Sequence, residues 1–521
     1  MFVKPMLAKR VFTVAVAAFL GAGMVPLSLA EDLHGASFSL TQGSLVKEAI
    51  RRNAGAVFKQ LDWQVSGEKT EFERGIFEPE LSVTVNWHDL NVPNTVEESL
   101  YRVGSGGNYT EEALTYDASV KGLLSTGGQV SFGVNGTERE SILIDARDNY
   151  DTEYVYGLKL TFRQPILKGF GSDITKARIH VAEADQEIAF QEYRQRIMEV
   201  AGTAIKAYWG LFGAQNIQAS LQRSMEVAER IRHDVEERVR LGKAARTELM
   251  EAEIGVSLRQ SELMGATADV TEMQNSILTL LNISTLSNPD IDFNAVESPE
   301  VANVEMPVLD ESLKRALEHW PALKIAQQKQ ERERIQSVYA ENQSLPQLDF
   351  TMSYNTAGLD GIRDDAFDGA LTDDHESWYA GLEFSSPLLG NKKAKSQYNV
   401  AKLRQHQANL EVASVQRNLA NDLSTKIMRL RSAAEQLKIR TVEVKSRQKL
   451  LNIEMERLRA GKSSIREVLD QEEDLIEYQR NYVSSVVELK LAEAVVELAE
   501  GRLMERYNIK LSRDEIKLLQ R

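Results

Sequence analysis

Apolar residues recur at three- and four-residue spacing through two long proline-free blocks, about Asp173 to Asn282 and about Lys393 to Tyr507. In the first, Ile197, Ala201, Ala204, Tyr208 and Leu211 fall on one helical face; in the second, Leu423, Ile427, Leu430, Ala434 and Leu437 do. Each block is interrupted once, at Gly242-Lys243 and at Gly461-Lys462. A glycine accepts the left-handed conformation that ends a helix, and Arg238, Arg240, Arg457 and Arg459 place cations in the last turns. The pattern therefore predicts two helical hairpins. Their tips share a script: RVRLGKAARTELMEAE (238–253) and RLRAGKSSIREVLDQE (457–472) match at Arg238/Arg457, Gly242/Gly461, Lys243/Lys462, Glu248/Glu467 and Glu253/Glu472.

The arm before each tip has roughly 65–70 residues and would reach about 100 Å, and the arm after it roughly 40–45. A further helix of about 30 residues is expected before each block, over Ser44 to Gly75 and Asp310 to Gln343, short enough to stack with the short arm beside the long one. SLVKEAIRRN and SLKRALEHWP begin these helices, and each helix is followed by a proline and a strand, EPELSV and LPQLDF. The chain thus reads as a tandem repeat. Residues 1–30 are set apart, 31–283 form the first repeat with its tip near 242–247, and 284–309 link the halves. Residues 310–508 form the second repeat with its tip near 461–466, and 509–521 are a C-terminal tail.

The segments between helices alternate. Leu81, Val83, Val85 and Trp87 face one way and Ser82, Thr84, Asn86 and His88 the other. Tyr154 to Phe162, Leu348 to Tyr354 and Trp378 to Phe384 behave likewise. Strands of about nine residues with apolar-out, polar-in alternation suit a transmembrane barrel. A soluble antiparallel sheet with one wet face has the same pattern. On the barrel reading Lys159, Asp349 and Glu383 face the lumen, and Trp87 and Trp378 belong to the interfacial aromatic girdle. The first half carries an extra hairpin, about 113–138, around Ser125-Thr126-Gly127-Gly128. The second half has instead an acidic, glycine-bearing loop at 358–376.

Composition narrows the class. Of 521 residues none is cysteine, which excludes disulfides, thiolate metal sites and thiol nucleophiles. Lys4, Lys9 and Arg10 precede an apolar run ending at the small-residue site PLSLA, so residues 1–30 read as a cleaved secretory signal. Beyond it no apolar run is long enough for a spanning helix, and a closed β-barrel is the only other way across a bilayer. The net charge of −15 argues against a nucleic-acid partner.

The repeat, the strand-to-helix junctions TFRQPILKGFGSDITKAR and EFSSPLLGNKKAKSQ, the paired tips, and the repeat ends LLNIS and RYNIK together resemble the TolC family of outer-membrane efflux channels over essentially the whole mature chain. The resemblance implies an α+β membrane protein: a homotrimer with a shared twelve-stranded barrel in the bacterial outer membrane, four strands from each copy, and a helical tunnel in the periplasm. The extra hairpin departs from that pattern; it either widens the barrel to eighteen strands or sits outside it. The resemblance also implies an acidic pair ringing the periplasmic entrance, which falls on Glu467 and Asp470. Spacing i, i+3 places both on one helix face. It assigns tip contacts to Thr247 and Glu248, and leaves Ser463 where the family has an arginine. It further implies adaptor docking around Gly242, Lys243, Gly461 and Lys462.

No catalytic constellation, cofactor motif or metal site emerges. His233 and Glu236 have a metal-like spacing but sit on a charged helix face, and LGKAART lacks the strand and first glycine of a phosphate loop. The expected function is a passive exit duct working with a periplasmic adaptor and an inner-membrane proton-driven (RND) or ABC transporter, in tripartite efflux or type I secretion. The alternative is a periplasmic coiled-coil scaffold or adaptor without a pore.

Overall fold

A computed structural model describes residues 37–97, 107–145, 151–284, 291–297, 299, 306–372, 375–507 and 509. The expected signal segment, nearly all of the C-terminal tail and much of the linker lie outside the described residues. The first half runs β1 (Ser37–Leu40), α1 (Gln42–Arg52), α2 (Ala54–Arg74), β2 (Glu80–Pro93), β3 (Asn108–Leu123), β4 (Gln129–Ser141), β5 (Glu153–Pro165), α3 (Ala177–Arg240) and α4 (Arg246–Leu280). After β6 (Asp292–Ala295), the second half runs α5 (Leu309–His319), α6 (Pro321–Gln343), β7 (Gln347–Asp360), α7 (Arg363–Leu371), β8 (Glu376–Ser385), α8 (Lys392–Arg459) and α9 (Ile465–Ala499). No described helix is long and apolar enough to cross a membrane.

The long arms α3 and α8 have 64 and 68 residues, and α4 and α9 have 35 each. At 1.5 Å per residue the long arms reach about 100 Å. The helix preceding each block is not continuous. Asn53 stops α1 and accepts the Ala56 N–H to begin α2; in the second half Pro321 opens α6 at its first turn, where a missing N–H costs nothing.

The core is densest where β1 and β6 pair in parallel beside α1, α3 and the ends of α4 and α9. Leu45, Ile197, Tyr208, Leu211 and Ile277 are buried there around Ala201 and Ala204, whose small side chains let helices approach. Each large apolar side chain so buried contributes about 1.5–3 kcal/mol. Polar groups in this layer are matched: Trp209 Nε1 donates to Gln42 (3.0 Å), Gln42 donates to Tyr507 (2.6 Å), and the Glu297 N–H donates to Tyr208 (3.1 Å). Burial pushes the Tyr208 and Tyr507 phenols up to about 12. Trp209 is buried between helices, and Trp320 lies half-buried under the Lys426 ammonium, 5.3 Å from the ring centroid.

The strands form one six-stranded antiparallel sheet in the order β2-β3-β4-β5-β7-β8. The hairpin β3-β4 is therefore not peripheral; it stands inside the sheet, between β2 and β5. Leu81, Val83, Val85, Trp87, Leu160, Leu382 and Phe384 are exposed on one face of the isolated chain. On the polar face Asp349 is buried beneath Arg163 (2.6 Å), while Lys159 and Glu383 are open. Trp87 and Trp378 are 66% and 70% exposed, both on the apolar face.

The segment 358–376 is not a simple loop. It contains α7, which folds back on the sheet, with Ala366 and Ala370 buried against Tyr156 and Phe367 edge-on to the Tyr156 ring at 5.7 Å. Alanines four apart make a flat helix face, and Gly358 receives it: a Cβ at Gly358 would lie 2.0 Å from the Ala366 carbonyl oxygen. Gly358→Ala is expected to lift α7 off the sheet while leaving the ladder intact; limited proteolysis at 361–375 should accelerate in the variant and not at the helical tips.

Candidate functional site: the paired helix tips

Both tips are built by the same backbone device. Gly242 and Gly461 have φ of 71° and 70°, the left-handed region that a Cβ disfavours. The Gly242 N–H donates to Val239 (3.0 Å) and the Lys243 N–H to Arg238 (2.8 Å); Gly461 and Lys462 repeat the bonds to Leu458 (3.0 Å) and Arg457 (2.9 Å). These two bonds satisfy carbonyls that would otherwise end the helix unpaired. Lys243 and Lys462 are exposed at the turn.

The restart of each second arm differs. Ser464 accepts the Glu467 N–H (3.2 Å), and the Glu467 carboxylate accepts the Ser464 N–H (3.0 Å), a complete capping box. In the first tip Ala245 stands at the Ser464 position, and only the half from the Ala245 N–H to Glu248 (3.2 Å) is possible. The Ser463 hydroxyl donates to Glu467 (2.7 Å) and also lies against Glu454, so one proton serves two carboxylates. Arg457 balances them, 3.0 Å from Glu454. The Ser464 backbone N–H and the Ser463 hydroxyl hold the Glu467 carboxyl below the usual carboxylate range.

The two acidic residues of the second tip are therefore unequal. Glu467 is exposed but folded back onto its own helix start, whereas Asp470 is exposed and makes no hydrogen bond or ion pair among the described residues. Thr247 is exposed, and Glu248 is half-buried on its own cap. Within one chain Ser463 serves its own tip.

Beneath the turns the two hairpins share one apolar cluster: Ile231, Val235 and Ala252 from the first, Leu451, Ile465, Val468 and Leu475 from the second. Gly255 lets α9 come close, since a Cβ there would meet Leu469 at 3.0 Å. Under the cluster lies a polar lock. Glu472 is 3% and Arg259 2% exposed; Ser224 donates to Glu472 (2.8 Å), Arg259 Nε lies 4.0 Å from Glu472, and Arg259 also pairs with Glu262 (3.1 Å). Burial pushes the Glu472 carboxyl up, partly countered by the Ser224 hydrogen bond and the Arg259 charge.

Solvent exposure is the simple expectation for Glu472, Glu473 and Asp474 on so charged a helix, and Glu472 departs from it. The signal was in the spacing: Glu472 falls on the stripe Ile465, Val468, Leu475, Ile476, and Arg259 on the stripe Ala252, Gly255, Ala266. Its tandem counterpart Glu253 is exposed. His233 and Glu236 are exposed, and Glu236 pairs with Arg232 (3.2 Å). Among the described residues no group of three or more His, Asp or Glu is gathered for a metal ion.

The outer membrane efflux protein family model matches residues 125–282 and 312–502. The chain belongs to that family. No curated protein matches it in sequence. Among solved structures it is similar to the CmeC outer membrane channel of Campylobacter jejuni, at 13% identity and a TM-score of 0.63 over 92% of this chain and 88% of that one. It is similar to the outer membrane protein VceC of Vibrio cholerae, at 15% identity and 0.60 over 90% and 97%. It is also similar to the open state of the Neisseria gonorrhoeae MtrE outer membrane channel, at 15% identity and 0.57 over 88% of each chain. At such identities the likeness is one of fold. The family membership makes this protein an outer membrane efflux channel, its strands in the outer membrane and its helices in the periplasm.

Two outcomes follow from the tip geometry. Nothing lies within 4 Å of a Cβ built at Gly461, so Gly461→Ala suffers only the left-handed backbone, about 1–2 kcal/mol; hydrogen exchange of amides 457–468 should speed up about tenfold, and Gly461→Asn should recover most of the loss. For Glu472, a folded-state pKa raised above the unfolded value means the protonated form favours folding. That contribution is complete below the unfolded pKa and is lost as pH rises through the folded one. Protection of amides 465–480, corrected for intrinsic rates, should fall on going from acid to neutral pH, and Glu472→Gln should flatten the fall.

Proposed function

We propose that three copies of this chain form the passive exit duct of a tripartite efflux pump or a type I secretion system. The observation that carries the reading is the pairing, in one chain, of an open sheet having one apolar face with helical hairpins about 100 Å long. The sheet has two free edges, β2 and β8, and in lipid each unpaired backbone group costs several kcal/mol, so copies must join edge to edge. The helices are far longer than a bilayer is thick and bridge an aqueous space. The duct itself does no chemistry; an inner-membrane RND or ABC transporter supplies the energy.

The tips are the periplasmic entrance. Three copies of Asp470 form its acidic ring, with Glu467 contributing charge from a carboxylate already engaged in capping. Acidic rings select cations. The grooves beside Gly242, Lys243, Gly461 and Lys462 receive the helical hairpin of a periplasmic adaptor; the exposed lysines and the two repeated turns support this placement.

Purified protein in planar bilayers tests the reading. A cation-selective conductance blocked by multivalent cations is expected, and Asp470→Asn should lower both selectivity and block. Asp470→Asn is the cleaner variant, because Glu467→Gln also disturbs a helix cap. Unchanged selectivity in Asp470→Asn would remove that residue from the ring; recovery of the protein as a soluble monomer without conductance would remove the channel.

A further inference from the structure

We infer that the hairpin β3-β4 is a lipid-facing part of the barrel wall, so that three chains close an eighteen-stranded exit rather than the twelve-stranded one built from four strands per copy. This rests on the trimeric channel proposed above.

The ladder is continuous across the insertion. Residues Glu80–Pro93 pair with Asn108–Lys121, and Gln129–Arg139 pair with Glu153–Arg163. β2 and β5 have no direct pairing; removing the hairpin from the sheet would leave an edge of each bare in lipid.

The faces agree as well as the hydrogen bonds. One row of cross-strand neighbours reads Leu81, Val120, Phe132, Leu160, Tyr354, Trp378. The row beside it, on the opposite face, reads Ser82, Ser119, Gly133, Lys159, Asn355, Ser377. The hairpin thus carries the apolar band and the polar lining in phase with the other four strands. A slip of one residue on either side would invert every side chain and expose charge to lipid. The band also slides along the sheet. Leu81 begins the apolar run of β2, whereas its row partners Tyr354 and Trp378 lie at the opposite limit of the runs Leu348–Tyr354 and Trp378–Phe384. A band kept level with a membrane must slide in this way when strands tilt, as barrel closure requires.

Side chains fasten the hairpin at mid-height and at both ends. Tyr116 on β3 reaches across Gly136 on β4 to Tyr156 on β5, with ring centroids 5.8 Å apart; a Cβ at Gly136 would lie 2.2 Å from the Tyr116 ring. At the turn, Thr126 Oγ1 donates to Gln164 (2.8 Å), Gln164 Nε2 donates to the Thr126 carbonyl (3.2 Å), and the Gly171 N–H donates to the same carbonyl (3.0 Å). Gly127, at φ 88°, sits against the Gly169 carbonyl where a Cβ would be only 2.3 Å away. The turn is thereby seated on the junction through which β5 passes to the helices. At the far end Arg363 of the α7 segment pairs with Glu138 (2.6 Å) and Arg139 with Glu153.

Barrel diameter grows roughly linearly with strand number, so the outer-membrane exit is about half as wide again as a twelve-stranded one. The added polar lining includes Asp117, Asn135, Thr137 and Arg139. The narrow tips remain the limiting aperture, so the gain is in clearance at the exit and not in entrance selectivity.

The cysteine-free chain permits single labels anywhere. Val120→Cys and Phe132→Cys on the hairpin, Leu160→Cys and Leu382→Cys on the other strands, and Ser119→Cys and Asn135→Cys on the polar face would each carry an environment-sensitive fluorophore in the trimer reconstituted in vesicles. The first four should be quenched several-fold more by spin-labelled lipid than by aqueous iodide, and the last two the reverse. If positions 160 and 382 meet lipid but 120 and 132 meet only iodide, the hairpin lies outside the wall; this inference falls and the channel stands. If 160 and 382 also miss lipid, the membrane channel itself falls. Electron cryomicroscopy of the trimer in nanodiscs gives the direct count: eighteen strands support the inference and twelve overturn it.

Discussion

Hydrocarbon offers no hydrogen-bond partners, and that single constraint organises the molecule. A six-stranded sheet with an apolar face belongs in lipid, but its two edges do not. In the proposed channel the strands of one chain are part of a wall whose curvature is set by the whole ring. The proposed assembly of copies thus rests on backbone chemistry rather than on any one contact. The hairpin β3-β4 obeys the same rule: it stands between β2 and β5, which do not pair with each other, and pairs with both.

The helical part answers a different demand. Rods of about 100 Å have no thick core of their own, so their stability comes from stripes buried against neighbours. The stripes are apolar in most places, but they also carry Glu472 with Ser224 and Arg259 near the tips, and Glu500 with Ser312 and Arg315 at the opposite end of α9. Burial pushes the Glu500 carboxyl up, yet its bonds to Ser312 and Arg315 and the nearby Arg502 leave it below the usual carboxylate range. Glu472 has a hydroxyl and a more distant guanidinium and stays raised. The buried acid close to the helix tips is thus the less well compensated of the two.

Much of this was legible in the chain. Helix periodicity, the two glycine tips and the strand alternation each depend on local spacing, and the family resemblance joined them into an outer membrane channel, as the family match shows. Other features were hidden. The break at Asn53 interrupts a pattern that is helical on both sides, and only the capping bond to Ala56 distinguishes it from a continuous helix. The helix α7 was masked by its acidic composition; its packing face consists of two alanines and a phenylalanine, too little to register as a stripe. Glu467 and Asp470 look equivalent as letters, yet one is engaged by the cap of its own helix and the other is not.

By itself the sequence determined the long helices and the barrel-like strands, which strand face is apolar, and where the long helices turn back, because periodicity and left-handed glycine turns are properties of neighbours along the chain. The tertiary structure decided the rest: that β3-β4 stands within the sheet, that α7 docks at Gly358, and that Glu472 is enclosed while its counterpart Glu253 is exposed. Each of these depends on what packs against a residue from a distant part of the chain. Two tips written in nearly the same letters acquire different burial because α9 is pressed against both α3 and α4, and no repeat unit carries that information alone.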